Sequence, residues 1–147
     1  MTNESATKLD RIFIEVKDRD KYDFLKNKVP FFKTSTGASR ENVKVFMYVV
    51  AYAIKNNISK KKLRSPEGYF KLDTIKDDDH AMIKSIAVHD EGIDVLSDPA
   101  KIYTIVQEYA NAGIKSLYDE IIQLDESQYN MYSSNVEDEF QIDDTAK

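Results

Sequence analysis

The sequence predicts a mainly α-helical domain, with four to five helices around a buried central helix, one or two short strands and an acidic C-terminal tail. Three observations carry this expectation. Val45 to Ile54 is apolar or aromatic at every position, and a helix apolar on all sides is buried on most of its circumference. Segments on both sides of it repeat apolar residues at three- and four-residue spacing. From Asp125 that period stops, and the composition turns acidic and rich in tyrosine and serine.

Residues 1–9 are polar and read as a frayed start. Ile12, Ile14 and Val16 alternate with Phe13 and Glu15, the pattern of a half-buried edge strand. Asp18 to Val29 spaces Tyr22, Leu25 and Val29 for one helical face; Asp18 or Asp20 offers a cap and Pro30 a stop. Phe31 and Phe32 read as anchors for the loop that follows. Thr36 and Ser39 both qualify as caps of the central helix, which runs to the pair Asn56-Asn57. Tyr69 to Leu72 reads as a short extended piece. Thr74 offers a cap to a helix that carries Asp77, Asp78 and Asp79 in its first turn, favourable to the helix dipole, and ends near His89 and Gly92. Ser97-Asp98-Pro99 is a further helix start. The apolar face that follows, from Ile102 to Ile122, passes through Gly113, where a small residue fits a helix crossing.

These readings make residues 1–124 one domain and residues 125–147 an acidic tail, disordered alone or ordered by a partner. Cysteine is absent, which excludes disulfides, zinc–thiolate sites and cysteine nucleophiles. The start Met-Thr-Asn-Glu-Ser-Ala-Thr-Lys lacks a signal core, and no apolar run approaches the roughly 18 residues of a membrane span. The expected setting is a prokaryotic cytoplasm, with no membrane partner. Net charge is −5, against a generally basic nucleic-acid binder. It is unevenly spread: 16 Lys+Arg against 9 Asp+Glu up to Ile75, and 5 against 17 thereafter.

Candidate chemistry is sparse. Asp10 with Glu15-Val16-Lys17 superficially matches a metal-dependent nuclease pattern, but Asp10 lies on the same strand as Glu15 rather than on a neighbour. Consecutive Asp77, Asp78, Asp79 and His80 point in different directions on a helix and cannot converge on one ion. His80 and His89 fall on opposite faces. Thr36 to Ser39 has too few glycines for a phosphate-cradling loop, though a helix start can still meet an anion. Tyr48 and Tyr52, one turn apart, are core or a partner groove. No catalytic residue, metal site or cofactor is expected.

The strongest binding candidate is the basic loop with Lys60, Lys61, Lys62 and Arg64, because phosphate backbones are met by clustered cations. Tyr69 and Phe70 beside it are candidates for stacking on bases. The same loop suits an acidic protein surface or the chain's own tail. Within the tail, Tyr129, Tyr132 and Phe140 are candidate docking residues.

Three stretches carry a family resemblance: Val45 to Asn56, Gly68-Tyr69-Phe70 through Ala87, and Glu108-Tyr109-Ala110-Asn111-Ala112-Gly113-Ile114. Together they resemble small accessory proteins of prokaryotic DNA-phosphorothioation (dnd) clusters and related antiphage defence islands. Those proteins share a helix rich in Phe, Ala and Tyr ahead of a basic turn, and a late Glu-Tyr-Ala-Asn-Gly-Gly-like motif. Ala112 stands here for its first glycine. The resemblance spans roughly residues 10–122 and excludes the tail. It implies a non-catalytic accessory or adaptor subunit of a DNA-targeting defence complex, acting on DNA or docked on a larger ATPase or nuclease subunit. It supplies no catalytic residue. The competing expectations are a free-standing, sequence-independent DNA-binding protein built as a homo-oligomer, and an acidic inhibitor that mimics DNA.

Overall fold

The computed structural model describes residues 10–33 and 37–124. Strand β1 (Arg11–Glu15) is followed by helix α1 (Arg19–Lys28), the long helix α2 (Ala38–Lys55), strand β2 (Pro66–Lys71), and helices α3 (Asp77–Glu91) and α4 (Pro99–Ile122). Short 3-10 turns join them at Val16–Asp18, Pro30–Phe32, Leu72–Thr74 and Ile93–Ser97. The architecture is therefore mainly helical, with four helices and a two-stranded antiparallel sheet. Helix covers more than half of residues 18–124, as the apolar spacing requires.

Helix α2 is the centre. Val45, Phe46 and Tyr48 to Ala53 are buried, and Met47 and Ile54 are half-buried against the same core. Its main partner is α4, whose Ile102, Ile105, Val106, Ala110, Ile114 and Leu117 are all buried. Helix α4 is continuous through Gly113. There a Cβ would stand 2.9 Å from the Ala53 Cβ and 3.2 Å from the Val49 carbonyl oxygen, so this is the crossing point and only a residue without a side chain fits it undisturbed. Helix α1 contributes Tyr22 and Leu25 to the core. Phe32 is buried edge-on to Tyr48, with Phe31 beside both rings.

Helix starts follow different residues from those the sequence suggests. The residue before α2 is Gly37, at φ 114°, and Ser39 lies inside the first turn without capping it; Thr36 lies outside the described residues. Helix α3 begins after Lys76, because Thr74 belongs to a 3-10 turn. For α4 the cap is Asp98, which accepts from the Lys101 N–H, while Ser97 turns back to the Asp94 carbonyl. Of these three starts, only that of α4 carries a side-chain cap.

Strand β1 pairs with β2 so that Ile12 faces Phe70 and Ile14 faces Glu67. Between Ile12 and Phe13 the register shifts, leaving Tyr69 with no residue opposite. An extra residue of this kind bends the strand and breaks strict alternation. Tyr69 and Phe70 are in consequence both buried. The other flank of β1 lies against α4, where Gln107 Oε1 accepts from the Phe13 N–H at 2.8 Å. Among the described residues no helix is long and apolar enough to cross a membrane.

Candidate functional site

The loop between α2 and β2 is held along its whole length. Helix α2 ends with Asn57 in the left-handed region, at φ 56°. The Asn57 N–H donates to the Ile54 carbonyl and the Ile58 N–H to the Ala53 carbonyl, the paired bonds of a Schellman turn. The two asparagines read as a helix end are thus the turn itself, and Ile58 packs back on the core. The Lys61 N–H then donates to the Glu108 carbonyl of α4, and Asn111 Nδ2 donates to the Lys61 and Lys62 carbonyls, both at 3.0 Å.

Glu15 closes the far end. It is buried, and its carboxylate accepts from the Arg64 N–H at 2.7 Å and the Ser65 N–H at 2.8 Å, one through each oxygen. The Val16 N–H donates to the Ser65 carbonyl, completing the junction. The Arg64 N–H is the largest influence on Glu15 and holds its carboxyl below the ordinary value; burial opposes this, and the Ser65 N–H and the charges of Lys17 and Arg64 assist it. This carboxylate is therefore a clamp for loop backbone, accepting from two N–H groups.

The four basic residues divide into two kinds. Lys60 is half-buried, and its ammonium meets Asp90 Oδ2 at 2.5 Å and Glu91 Oε2 at 3.7 Å. The Tyr109 hydroxyl donates to Asp90 Oδ1 at 2.6 Å, so loop, α3 and α4 are joined at one carboxylate. Its hydrogen bond to Asp90 pushes the Lys60 pKa up. Burial alone would raise the Asp90 carboxyl, but Lys60 and Tyr109 outweigh it and leave that group lowered. Lys60 is accordingly a staple. Lys61, Lys62 and Arg64 are exposed, and their ammonium and guanidinium groups make no ion pair among the described residues. Exposed Lys17 joins them, because residue 16 is bonded to residue 65.

Tyr69 and Phe70 do not line this site. Both are core residues: Tyr69 packs on Tyr22 with ring centroids 5.1 Å apart, and Phe70 packs on Phe46 at 5.5 Å. Stacking on bases would require extracting them from the interior, so that role is corrected. Tyr48 and Tyr52 are likewise interior, with the Tyr52 hydroxyl donating to Glu120 at 2.6 Å. Tyr129, Tyr132 and Phe140 lie outside the described residues.

Sequence reasoning located the loop but missed its supports. Glu15 is some fifty positions from its partners and Asp90 is thirty from Lys60. The one local sign was Lys17, read only as part of a nuclease-like triplet. His80, half-buried, has its Nδ1 at 2.9 Å from the Tyr103 hydroxyl, a pairing of α3 with α4 remote from the loop. Comparison of the chain with protein-family models, curated proteins and solved structures finds no match.

Proposed function

We propose that this chain is a non-catalytic accessory subunit of a prokaryotic, DNA-targeting defence complex, and that it contacts nucleic-acid backbone through Lys61, Lys62 and Arg64. One observation carries the DNA contact: the loop backbone is fixed at Glu15, Glu108 and Asn111 while three cationic side chains project from it unpaired among the described residues. A fixed backbone lowers the ordering cost of binding, and mobile cationic tips suit phosphates of any sequence. The placement in a defence complex, docked on a larger ATPase or nuclease subunit, rests on the resemblance of Val45–Asn56, Gly68–Ala87 and Glu108–Ile114 described above.

The test is a salt titration of duplex binding by the parent chain and by K61A/K62A/R64A. Each lost phosphate contact removes about 0.9 from the slope of log K against log salt, so three remove roughly 2.7. K60A serves as the comparison, because Lys60 is already paired with Asp90. Equal binding by parent and triple variant would remove the DNA role. Unchanged recovery of co-purifying host proteins by the triple variant would remove the loop from partner docking as well.

A further inference from the structure

We infer that α3 and the 3-10 turn after it, Ile93–Ser97, form the face on which a second copy of this chain docks, the two copies related by a two-fold axis. The spacing along α3 sets out this face. Ile83 and Ala87 are buried, so positions 81, 84, 85, 88 and 89, at three- and four-residue spacing, form the opposite side of the helix. A side turned to solvent is ordinarily charged. Helix α3 has five carboxylates, but all lie in its first and last turns. Between them Ala81, Lys84, Ser85, Val88 and His89 line an open groove of about 570 Å³, together with Leu96 of the turn. Five of these six residues are exposed, so the groove is too shallow to enclose a small molecule and suits a protein surface. Residues three apart in a 3-10 turn eclipse one another, which puts Ile93 on the same side as Leu96. Ile93 is 66% exposed and Leu96 43%, and they are two of the four exposed large apolar residues among the described ones.

Charge and shape together say what covers it. Beside Ile93 and Leu96 the turn carries exposed Asp94, and the groove carries Lys84 and His89. None of these three makes an ion pair among the described residues. A cation alone would not single out this face, since exposed Lys17, Lys28, Lys71 and Lys76 stand without an ion pair there as well. What is particular is that one patch holds both halves of a contact. Protruding apolar residues stand next to a carboxylate, and a hollow left by the small side chains of Ala81 and Ser85 lies next to a cation. A two-fold interface needs a surface that complements itself in this way, because each residue pair occurs twice with the roles exchanged. A rotation that lays the turn of one copy on α3 of the other brings Ile93 and Leu96 onto Ala81, Ser85 and Val88 and sets Asp94 against Lys84. An acidic partner of another kind would match only the groove, and a basic one only the turn. The inference is independent of the nucleic-acid reading of the basic loop.

The experiment is sedimentation equilibrium of the full chain at low salt. A patch of this size belongs with the weak interfaces, those below about 1,200 Å² in total, so the concentration series extends to about 1 mM. The parent is expected to form dimers and no larger species, as a closed two-fold requires. Leu96→Glu should abolish the dimer, whereas Ile122→Glu, at a residue of similar exposure (46%) on α4, should leave it. Lys84→Glu and Asp94→Lys should each weaken dimerisation about tenfold, because a loss of about threefold at one exposed ion pair is counted twice. Every substituted side chain is exposed, and far-UV circular dichroism of each variant checks that the fold is kept. Mixing Lys84→Glu with Asp94→Lys is the decisive step. In the mixed dimer the two reversed charges meet at one contact and the two natural charges at the other, so association returns to the parental level. Docking on a different protein gives no such recovery. A parent that stays monomeric throughout the series, a dimer that survives Leu96→Glu, or a mixture no more associated than its components overturns the proposal.

Discussion

Burial of hydroxyl and carboxyl groups gives the sharpest expectations at the residue scale. The Tyr22 and Tyr69 hydroxyls are buried and find no hydrogen-bond partner among the described residues. Burial drives the Tyr22 pKa well up, with Tyr69 and Asp18 adding to it, so this group stays neutral. A buried hydroxyl without a partner costs about 1–3 kcal/mol, and its removal leaves the ring packing intact. Tyr22→Phe and Tyr69→Phe are therefore expected to leave stability unchanged or to raise it by up to about 1 kcal/mol, measured by chemical denaturation. Glu15 behaves in the opposite way. Its carboxyl lies below the ordinary value of 4.5, so the support it lends is complete above that pH and is lost as pH falls through its lowered folded value. The Arg64 and Ser65 amide signals should titrate below pH 4.5 in the parent and lose that titration in Glu15→Gln, which carries only one acceptor oxygen. Glu15 reads in sequence as the polar member of an edge strand; nothing local says that its carboxylate meets backbone fifty residues later.

Packing periods made the helices legible as elements. The all-apolar run of α2 announced its central position, and Gly113 announced a crossing because a helix interior tolerates glycine poorly unless close approach needs it. Gly113→Ala sets a helix-propensity gain of about 1 kcal/mol against overpacking of about 1–3 kcal/mol. With backbone on one side of the added carbon, the clash should win, and a lowered melting temperature would register it. Strand β2 was only half legible. Its extended start at Pro66 reads as loop, and the unpaired Tyr69 that places two consecutive aromatics inside depends on a register set by β1, more than fifty residues away. That hidden register is why Tyr69 and Phe70 looked like surface platforms. The staple between the loop and α3 has its own test. Asp90→Ala removes the partner of Lys60 and Tyr109 and should cost about 1–2 kcal/mol in denaturant unfolding, since both groups lose a charge-assisted bond.

Across the whole molecule, stability concentrates where α2 crosses α4. The slowest amide exchange should come from Val49 to Ala53 and from Ile105 to Ile114, approaching the global unfolding limit, with the β1–β2 pair opening earlier. Hydrogen-exchange mass spectrometry of the full chain checks this order, and a sheet as protected as α2 would contradict it. The helical class of the molecule follows from composition and period alone. What composition does not convey is closure: the first strand is held on one edge by β2, on the other by Gln107, and at its end by the Glu15 contact with the basic loop. This closure has a consequence for synthesis on the ribosome. Phe13 emerges 94 residues before the Gln107 that receives its N–H, a lag of about 5–20 seconds at about 5–20 residues per second. Strand β2 becomes available partway through that interval, but Ile12 and Ile14 lack the α4 flank for all of it. Strand β1 is made before the other described elements it packs on, yet it is among the last to be closed on both edges.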